Sequence, residues 1–533
     1  KGHIAHLYRP IQFMSAIPVR PELIHDKSAE ASPFRFSVVD VRLILVLLIC
    51  AAGLRMWHLA TSEVTSRDSI HYMRMAWEIG HGRAISAIRD GEQHPGYPIA
   101  LCVVQAGVGL ISSAAAPERY QLAAQWTSIL ASLIAVPVLY ALSRQLFSPM
   151  GAFFGVLFIQ VLPATGRLFA DGLSESLFLL FVMTSVLSGF VALRSCRSYA
   201  FALCGLSGGL AYLVRPEGAI FPLAVGIILL FRHVVVGKKP WIRLAVFLAA
   251  SFLAMALPFM IVVGKLTSKP TANRVLTADE VRAPIPAGSP ILASWFSSSS
   301  NGMDREVWAV WVLMGMVARG TLFVLWIPAI AGLIYYRKTI WNEPGAVAYS
   351  LGCVVLALLL ERVAATMGYL SDRHMVVLIC AIAILAGGFI DRFATLLPGW
   401  WKYAALVAMV LPILITGTYR TIEPLHANRA GFRQAGNWLA SNVAPGDEID
   451  DPFCWSHFYA GRVFQETVVT GLPVTYPRRK YVVTERSSSK HERLGLRDEA
   501  DLVRSGGTVV FSYAPKRRKV GDAVVVYAVP VGP

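Results

Sequence analysis

Long apolar segments recur along this chain of 533 residues and constrain its fold more than any other feature. Runs of about 18 apolar residues or more recur, which is the length that an α-helix needs to cross a lipid bilayer. Hydrophobic residues make up 55% of the chain and charged residues only 15%, whereas a soluble domain has about 25% charged residues. The sequence therefore predicts an all-α polytopic membrane protein.

About eleven of these segments are predicted to span the membrane: 42–60, 121–142, 150–165, 174–193, 199–214, 218–232, 243–263, 307–334, 345–361, 374–390 and 402–419. One further segment, 95–115, is ambiguous by hydropathy alone. Cytoplasmic loops are enriched in Lys and Arg, and most basic residues of the later short loops fall on the cytoplasmic side only if 95–115 does not cross. We therefore predict a juxtamembrane helix at 95–115, in a first outer loop that extends from about residue 61 to 120.

The net charge of +16 is explained by the same loops. In a soluble protein this charge would suggest a nucleic-acid partner. Here the Lys and Arg residues lie mostly between apolar segments, where topology and anionic lipid headgroups account for them. Membrane lipids are therefore expected as partners, and nucleic acid is not. The seven cysteines have no metal-binding spacing and imply no disulfide framework.

The composition changes after residue 420. The segment 429–443 has helical spacing, and the segments 480–485, 507–513 and 523–529 are typical of short strands. Three parts are therefore predicted: a cytoplasmic N-terminal segment (1–40), a transmembrane domain (41–420) and a small outer α/β domain (421–533). The Pro-, Ser- and Gly-rich stretch 264–306 is predicted to be a mobile outer loop. A metal site in the stretch 450–462 is disfavoured because its acidic, Cys and His residues lack a firm ligand spacing.

Asp68 is the most informative polar residue of the first outer loop. A carboxylate at the membrane interface is costly to place and is by default a candidate functional group. Tyr72, Ala76 and Gly80 follow at a spacing of four, which places them near one face of a helix that begins close to Asp68. The dipole of such a helix keeps the carboxylate ionised. An aspartate that simply caps this helix is an equally weighted alternative.

Two further stretches carry candidate groups on the same side. His94 precedes Pro95, which biases it to an extended conformation from which its ring can face a cavity; a surface histidine at a helix start is favoured for the motif alone. Asp171 and Glu175 are four residues apart at the outer end of a span, and are predicted to share one helical face. Two such carboxylates can hold a metal, share a proton or orient an acceptor hydroxyl, although both are also common first-turn residues.

Basic residues open two later turns. Arg215 is followed by Pro216 and Glu217, for which a turn with a local ion pair is slightly favoured. Arg373 and His374 open a span on the outer side, where the positive-inside rule disfavours cations. A forked guanidinium there suits an anionic partner such as a phosphate. A local ion pair between Arg373 and the preceding aspartate is the alternative.

Taken in order, these stretches resemble the GT-C superfamily of integral-membrane glycosyltransferases over about residues 40–420. The resemblance is to bacterial relatives of the protein O-mannosyltransferases and the aminoarabinose transferases. The motifs that support the resemblance are the D-x-x-x-Y-x-x-x-A-x-x-x-G run from Asp68 to Gly80, then HPGYP, FADGLSE, RPEG and the DRH sequence at the start of a late span. Enzymes of this family move a sugar from a polyprenyl-phosphate carrier to an acceptor outside the cytosol.

The resemblance implies roles for individual residues. Asp68 is expected to be the catalytic base, and Asp171 matches a second functional acidic position. His94 and Arg373 are expected to contact the donor phosphate. The remaining residues expected to bind substrate are Tyr72, Glu175, Arg215 and His374.

Two departures from the family pattern leave chemical questions open. Asp68 is followed by Ser69 where the family often has a second acid, and Gly96 replaces the second proline of the usual pair. A divalent metal cofactor therefore remains open, and so does the acceptor, which can be a protein, a lipid or a glycan.

Two other function classes are weaker. A secondary transporter or flippase should place polar residues near mid-membrane, often on broken helices in two matching halves. Here they cluster at the outer ends of spans, and no half-to-half repeat is visible. A non-catalytic scaffold would leave Asp68 without a purpose. We therefore expect a hexosyl- or pentosyltransferase in the plasma or inner membrane, with its site on the outer face.

Overall fold

A computed structural model describes residues 36–236, 241–270, 275, 302–444, 447–464, 479–486, 499–515 and 523–530. Helices dominate these residues, and a small sheet lies near the C-terminus. In chain order the α-helices α1 to α19 are Val38–Thr61, Arg67–Gly80, Ala84–Asp90, Gly96–Ile111, Ala116–Ser143, Pro149–Val161, Pro163–Gly166, Glu175–Ser195, Ser198–Val214, Ile220–Val236, Trp241–Val263, Gly302–Gly320, Trp326–Asn342, Pro344–Met367, Val376–Thr395, Trp401–Thr421, Ala430–Asn442, Trp455–Tyr459 and Glu499–Arg504. The strands β1 to β4 are Glu448–Asp450, Arg479–Arg486, Thr508–Tyr513 and Ala523–Pro530.

Ion pairs at opposite ends of the helices define two ends of a bundle. At one end, Asp40 near the start of α1 pairs with Arg144 just after α5 at 2.8 Å. At the other end, Arg215 just after α9 pairs with Glu175 at the start of α8, also at 2.8 Å. We call the end with Arg215 the site end, because it holds most of the predicted site residues.

Nine of the eleven predicted spans each coincide with one helix of the structure, whereas 150–165 and 307–334 each cover two helices. Among the described residues, seven helices are long and apolar enough to cross a membrane, or eight if the bent pair Pro149–Val161 and Pro163–Ala170 is one span. The helix Ser198–Val214 is apolar but shorter. The prediction of a polytopic helical membrane protein is confirmed, although fewer helices than eleven meet this length criterion.

The ambiguous segment 95–115 forms the short apolar helix α4, Gly96–Ile111. Tyr97, at its start, donates a hydrogen bond to the carbonyl of Ala124 on α5 at 2.9 Å. Its last residues are exposed, and the chain turns directly into Ala116, the first residue of α5. The helix thus folds back beside the start of α5, as expected for a juxtamembrane helix.

The predicted span 307–334 is not one helix. The chain breaks between α12 and α13, where Leu322 and Phe323 have positive φ angles of 55° and 60°. Near the start of α12, Arg305 donates to the carbonyl of Ala365 near the end of α14. At the last residue of α12, a Cβ on Gly320 would meet the side chain of Ile379 near the start of α15 at 2.6 Å. Both contacts lie at the site end, so α12 runs along this end of the bundle.

The C-terminal region forms the predicted helix α17 and a four-stranded sheet of order β1-β2-β4-β3. β1 pairs with β2 in parallel, and the other pairs are antiparallel, with an irregularity between Val509 and Phe511. The three predicted strands correspond to β2, β3 and β4. The boundary at residue 420 stays a prediction. Most of the predicted cytoplasmic segment 1–40 and of the predicted loop 264–306 lies outside the described residues.

Candidate active site

The helix α2 places Asp68 at the site end of the bundle. Its buried face fits the turn before α8: Ser69 Oγ donates to the carbonyl of Gly172 at 2.6 Å, and the Tyr72 hydroxyl lies 3.1 Å from Ser174 Oγ. Gly172 has a φ of +67°, and a Cβ there would meet Ala124 Cβ at 3.1 Å. Glycine is therefore suited to this turn both by conformation and by space.

Asp68 begins a chain of alternating charges. Its Oδ2 accepts a hydrogen bond from Arg373 Nη2, and Arg373 Nε lies 3.8 Å from Glu175 Oε1. Arg215 donates to the same Glu175 oxygen at 2.8 Å and to Glu217 Oε1 at 3.3 Å. Five ionisable groups from α2, α8 and two short turns therefore compensate one another, with Glu175 and Arg215 buried and Asp68 partly exposed.

The charges decide which groups can exchange protons. Burial alone would raise the pKa of Asp68, but the Arg373 guanidinium outweighs it and holds this pKa below its ordinary value. Burial, together with the nearby Glu175 charge, raises the pKa of Tyr72 to about 12. Near neutral pH, Asp68 is therefore an ionised carboxylate that can accept a proton, while Tyr72 stays protonated.

The Asp68–Arg373 pair lies where two cavities meet, since both residues line both cavities. Each cavity is named after a residue that lines it and does not line the other cavity. The His426 cavity has a volume of about 700 Å³. The Lys269 cavity has a volume of about 450 Å³.

The Lys269 cavity has an apolar wall and a lining of charged residues of both signs. The apolar wall is formed by α14 side chains such as Leu360, Val363 and Met367. The charged part of the lining contains the cations Arg215, Lys269 and Arg373 together with the carboxylates Asp68, Glu92, Glu175 and Glu217, and His374 also lines the cavity. The apolar side chains suit a lipid chain, and the three cations can bind an anionic group at its end.

Lys269 was not identified from the sequence. Burial, followed by the Arg215 charge, lowers its pKa to about 8, so it remains mostly protonated near neutral pH. The only sequence signal is a lysine close to a span end on the outer side, where cations are disfavoured. Lys269 lies within the first residues of the 264–306 stretch, whose composition predicts a mobile loop and not a binding site.

The His426 cavity is more polar. Asp171 Oδ1 pairs with His426 Nε2 at 2.7 Å. Burial disfavours the imidazolium, but Asp171 outweighs it and raises the pKa of His426. Arg167 pairs with Glu423 at 3.0 Å on the same wall. Paired charges of both signs suit a hydrophilic ligand.

Most of the predicted site residues come together here. Six line the Lys269 cavity: Asp68, Tyr72, Glu175, Arg215, Arg373 and His374. Asp171 lines the His426 cavity, as does Asp68.

His94 lines neither cavity. It is fully buried, and its Nδ1 and Nε2 lie 2.8 Å from the Tyr212 carbonyl and from Thr267 Oγ1. Burial lowers its pKa to about 4, so the ring is neutral near neutral pH. Both ring nitrogens have protein partners, and this arrangement gives no support to the predicted contact with a phosphate. The ring instead connects the first loop to the segment that carries Lys269.

Two predicted pairings differ from the structure. The helix α8 begins at Glu175, so Asp171 lies in the preceding turn and cannot share a helical face with it. The two carboxylates line different cavities. The alternative of an Arg373–Asp372 pair is also wrong, because Arg373 pairs with Asp68 and Glu175. The local Arg215–Glu217 pair is present, and Glu175 joins it.

The described residues contain no group of three or more His, Cys, Asp and Glu side chains that could hold a metal ion. In the 450–462 stretch, Asp451 has a structural role. Its two carboxylate oxygens accept the backbone N–H groups of Phe453 and His457, each at 3.0 Å.

Part of the membrane region matches a known protein family. A family model described as dolichyl-phosphate-mannose-protein mannosyltransferase matches residues 116–261. This stretch contains Asp171, Glu175 and Arg215. No curated protein matches the chain.

Solved structures match over most of the chain. ArnT from Cupriavidus metallidurans, bound to undecaprenyl phosphate, is 14% identical with a TM-score of 0.54; the match covers 91% of this chain and 97% of ArnT. The oligosaccharyltransferase AglB from Archaeoglobus fulgidus, in complex with an inhibitory peptide and a dolichol-phosphate, is 12% identical with a TM-score of 0.57; the match covers 89% of this chain and 73% of AglB. Neither comparison supports a transporter. The chain therefore has the fold of the GT-C membrane glycosyltransferases, and the resemblance that its motifs indicated is confirmed at the level of the fold.

Proposed function

We propose that this protein is a glycosyltransferase that moves a hexosyl or pentosyl group from a polyprenyl-phosphate donor to an acceptor. The observation that carries the proposal is the Asp68–Arg373 pair, which two separate cavities share. A transferase needs such an arrangement because donor and acceptor must approach one another from two sides.

The Lys269 cavity is the proposed donor site. Its apolar wall can accept the first isoprenoid units, and its cations Arg373, Lys269 and Arg215 can bind the phosphate. ArnT and AglB, which share the fold, were solved with polyprenyl phosphates. Arg373 is the proposed phosphate ligand closest to the reacting atoms, with Lys269 and Arg215 behind it.

The His426 cavity is the proposed acceptor site. An acceptor hydroxyl or amine bound there loses its proton to Asp68 as its oxygen or nitrogen forms a bond to the anomeric carbon. The bond from that carbon to the phosphate oxygen breaks, and the polyprenyl phosphate leaves with the electron pair. Arg373 and Lys269 stabilise the negative charge that develops on the phosphate. Asp171, held by His426, is placed to orient the acceptor.

The reaction is proposed to take place on the outer face of the plasma or inner membrane. This orientation rests on the distribution of Lys and Arg among the loops. With this orientation, the C-terminal region also lies outside the cytosol.

A reconstituted assay tests the proposal. The purified chain in proteoliposomes would receive undecaprenyl phosphate linked to radiolabelled mannose, glucose or 4-amino-4-deoxyarabinose, with membrane extract as the acceptor source. We expect one of these sugars to appear on an acceptor, with undecaprenyl phosphate released in equal amount. Movement of an intact donor across the bilayer without cleavage would contradict the proposal and favour a flippase.

A further inference from the structure

The short helix α18 of the C-terminal region contacts the loop that leads to Asp68. Trp455 Nε1 donates to the carbonyl of Thr65 at 2.8 Å. The Tyr459 hydroxyl accepts the backbone N–H of Thr65 at 3.1 Å and donates to Gln121 Oε1 on α5 at 2.7 Å. Both backbone polar groups of Thr65 are therefore bonded to side chains from a region about 390 residues later in the sequence.

Thr65 lies three residues before Asp68, and its position affects where α2 begins. The residue is 2% exposed. Ser66 is the N-cap of α2, but its side chain makes no capping hydrogen bond. The first turn of α2 is therefore located by contacts outside the helix, with Ser69 on one side and Thr65 on the other.

The helix α18 is itself fixed. Asp451 holds the turn that leads into it through the two backbone hydrogen bonds described above. The Trp455 ring lies 5.3 Å from the Phe432 ring, and the Arg429 guanidinium lies over Trp455 at 5.2 Å. A helix held in this way can act as a rigid support.

We infer that Trp455 and Tyr459 are positioning residues, which hold the Asp68 carboxylate where the two cavities meet. This inference rests on the proposed function. A displacement of about 1 Å in a reacting group can reduce a rate by about 10²-fold. The C-terminal region thus contributes to the rate of sugar transfer without touching either substrate.

Conservative variants test this role. Trp455→Phe removes the indole N–H and keeps an aromatic ring, and Tyr459→Phe removes only the hydroxyl. We expect each variant to lower kcat by about 10-fold or more, with KM for the donor changed less than about 3-fold. Trp438→Phe is the matched control, because Trp438 packs on Tyr481 and Phe511 in the same region, at ring distances of 6.2 and 5.9 Å.

Two further measurements separate positioning from a loss of folding. Hydrogen exchange of the intact chain, measured without substrate, should be faster at residues 64–70 in both variants and unchanged there in Trp438→Phe. The acid limb of the kcat–pH profile should move to higher pH. Arg373, His71 and Arg67 lower the pKa of Asp68 while burial raises it, so a looser Arg373 contact lets this pKa rise.

The outcomes are distinct. Wild-type exchange at residues 64–70 in both variants would overturn the inference, as would equal acceleration in Trp438→Phe. If the C-terminal variants do not fold, Gln121→Met removes the acceptor of the Tyr459 hydroxyl from the α5 side, and it should give the same exchange pattern. If the wild-type chain transfers no sugar while the variants still show faster exchange at residues 64–70, the proposed function is rejected and the support of α2 by α18 is retained.

Discussion

Arg373 serves two partners in this account, the catalytic carboxylate and the donor phosphate. In the structure it bonds to Asp68 and lies 3.8 Å from Glu175 Oε1. When a phosphate is bound, the guanidinium can turn its remaining donors to it. The same residue is therefore proposed to control both the ionisation of the base and the binding of the leaving group.

Replacing Arg373 should affect both properties. Arg373→Ala should weaken binding of undecaprenyl phosphate by about 10-fold or more, and Arg373→Lys should restore it only partly because an ammonium lacks the forked geometry. Burial raises the pKa of Asp68 and the Arg373 guanidinium lowers it. In Arg373→Ala the guanidinium is lost, so this pKa rises and the acid limb of the kcat–pH profile moves to higher pH. Arg89→Ala, at an exposed position on α3, is the control. Unchanged affinity in Arg373→Ala would reject the phosphate contact.

His94 should matter for stability more than for binding. His94→Ala leaves the Tyr212 carbonyl and Thr267 without their ring partner, and an unsatisfied buried group costs about 1–3 kcal/mol. We expect a lower midpoint of thermal unfolding, with a smaller loss of undecaprenyl phosphate affinity than in Arg373→Ala. Normal stability combined with an equal loss of affinity would restore the contact that the sequence suggested.

At the scale of elements, glycines set the contact between α6 and α15. A Cβ on Gly387 would lie 2.2 Å from the backbone nitrogen of Gly155 and 2.8 Å from the carbonyl oxygen of Gly151. Small residues allow this close approach of helices in a membrane. Gly387→Ala should lower the midpoint of thermal unfolding by several degrees, whereas Gly53→Ala should not, because a Cβ on Gly53 meets nothing within 4 Å. Equal midpoints in the two variants would contradict the packing.

The sequence predicts helices better than it predicts breaks and pairings. Apolar runs located the spans because the bilayer fixes their length. The break between α12 and α13, where Leu322 and Phe323 adopt positive φ, was missed because the apolar run continues through it, although Gly320 ends α12 and Pro328 lies in the first turn of α13. Asp68 and Arg373 stood out as charges beside apolar segments, but their pairing joins positions 305 residues apart and follows only from tertiary packing.

At the scale of the whole molecule, the proposed orientation in the membrane rests on the loop charges. Ser113 is exposed after α4 at the site end, and Tyr199 is exposed near the start of α9 at the opposite end. With the native thiols replaced, Ser113→Cys should react with an impermeant thiol reagent added outside the cell. Tyr199→Cys should react only after the membrane is opened. The reverse pattern would overturn the assignment of sides.

The central claim is that Asp68 accepts the acceptor's proton where the two cavities meet, and Asp68→Asn tests it most directly. The change keeps the size of the side chain and removes its charge. The measurement is the transfer rate with undecaprenyl-phosphate-linked sugar, alongside the binding of undecaprenyl phosphate, with Asp90→Asn at an exposed position as the matched control. The account predicts a rate loss of about 10²-fold or more in Asp68→Asn, with binding retained and Asp90→Asn unaffected. Near-normal transfer by a folded Asp68→Asn protein would contradict it.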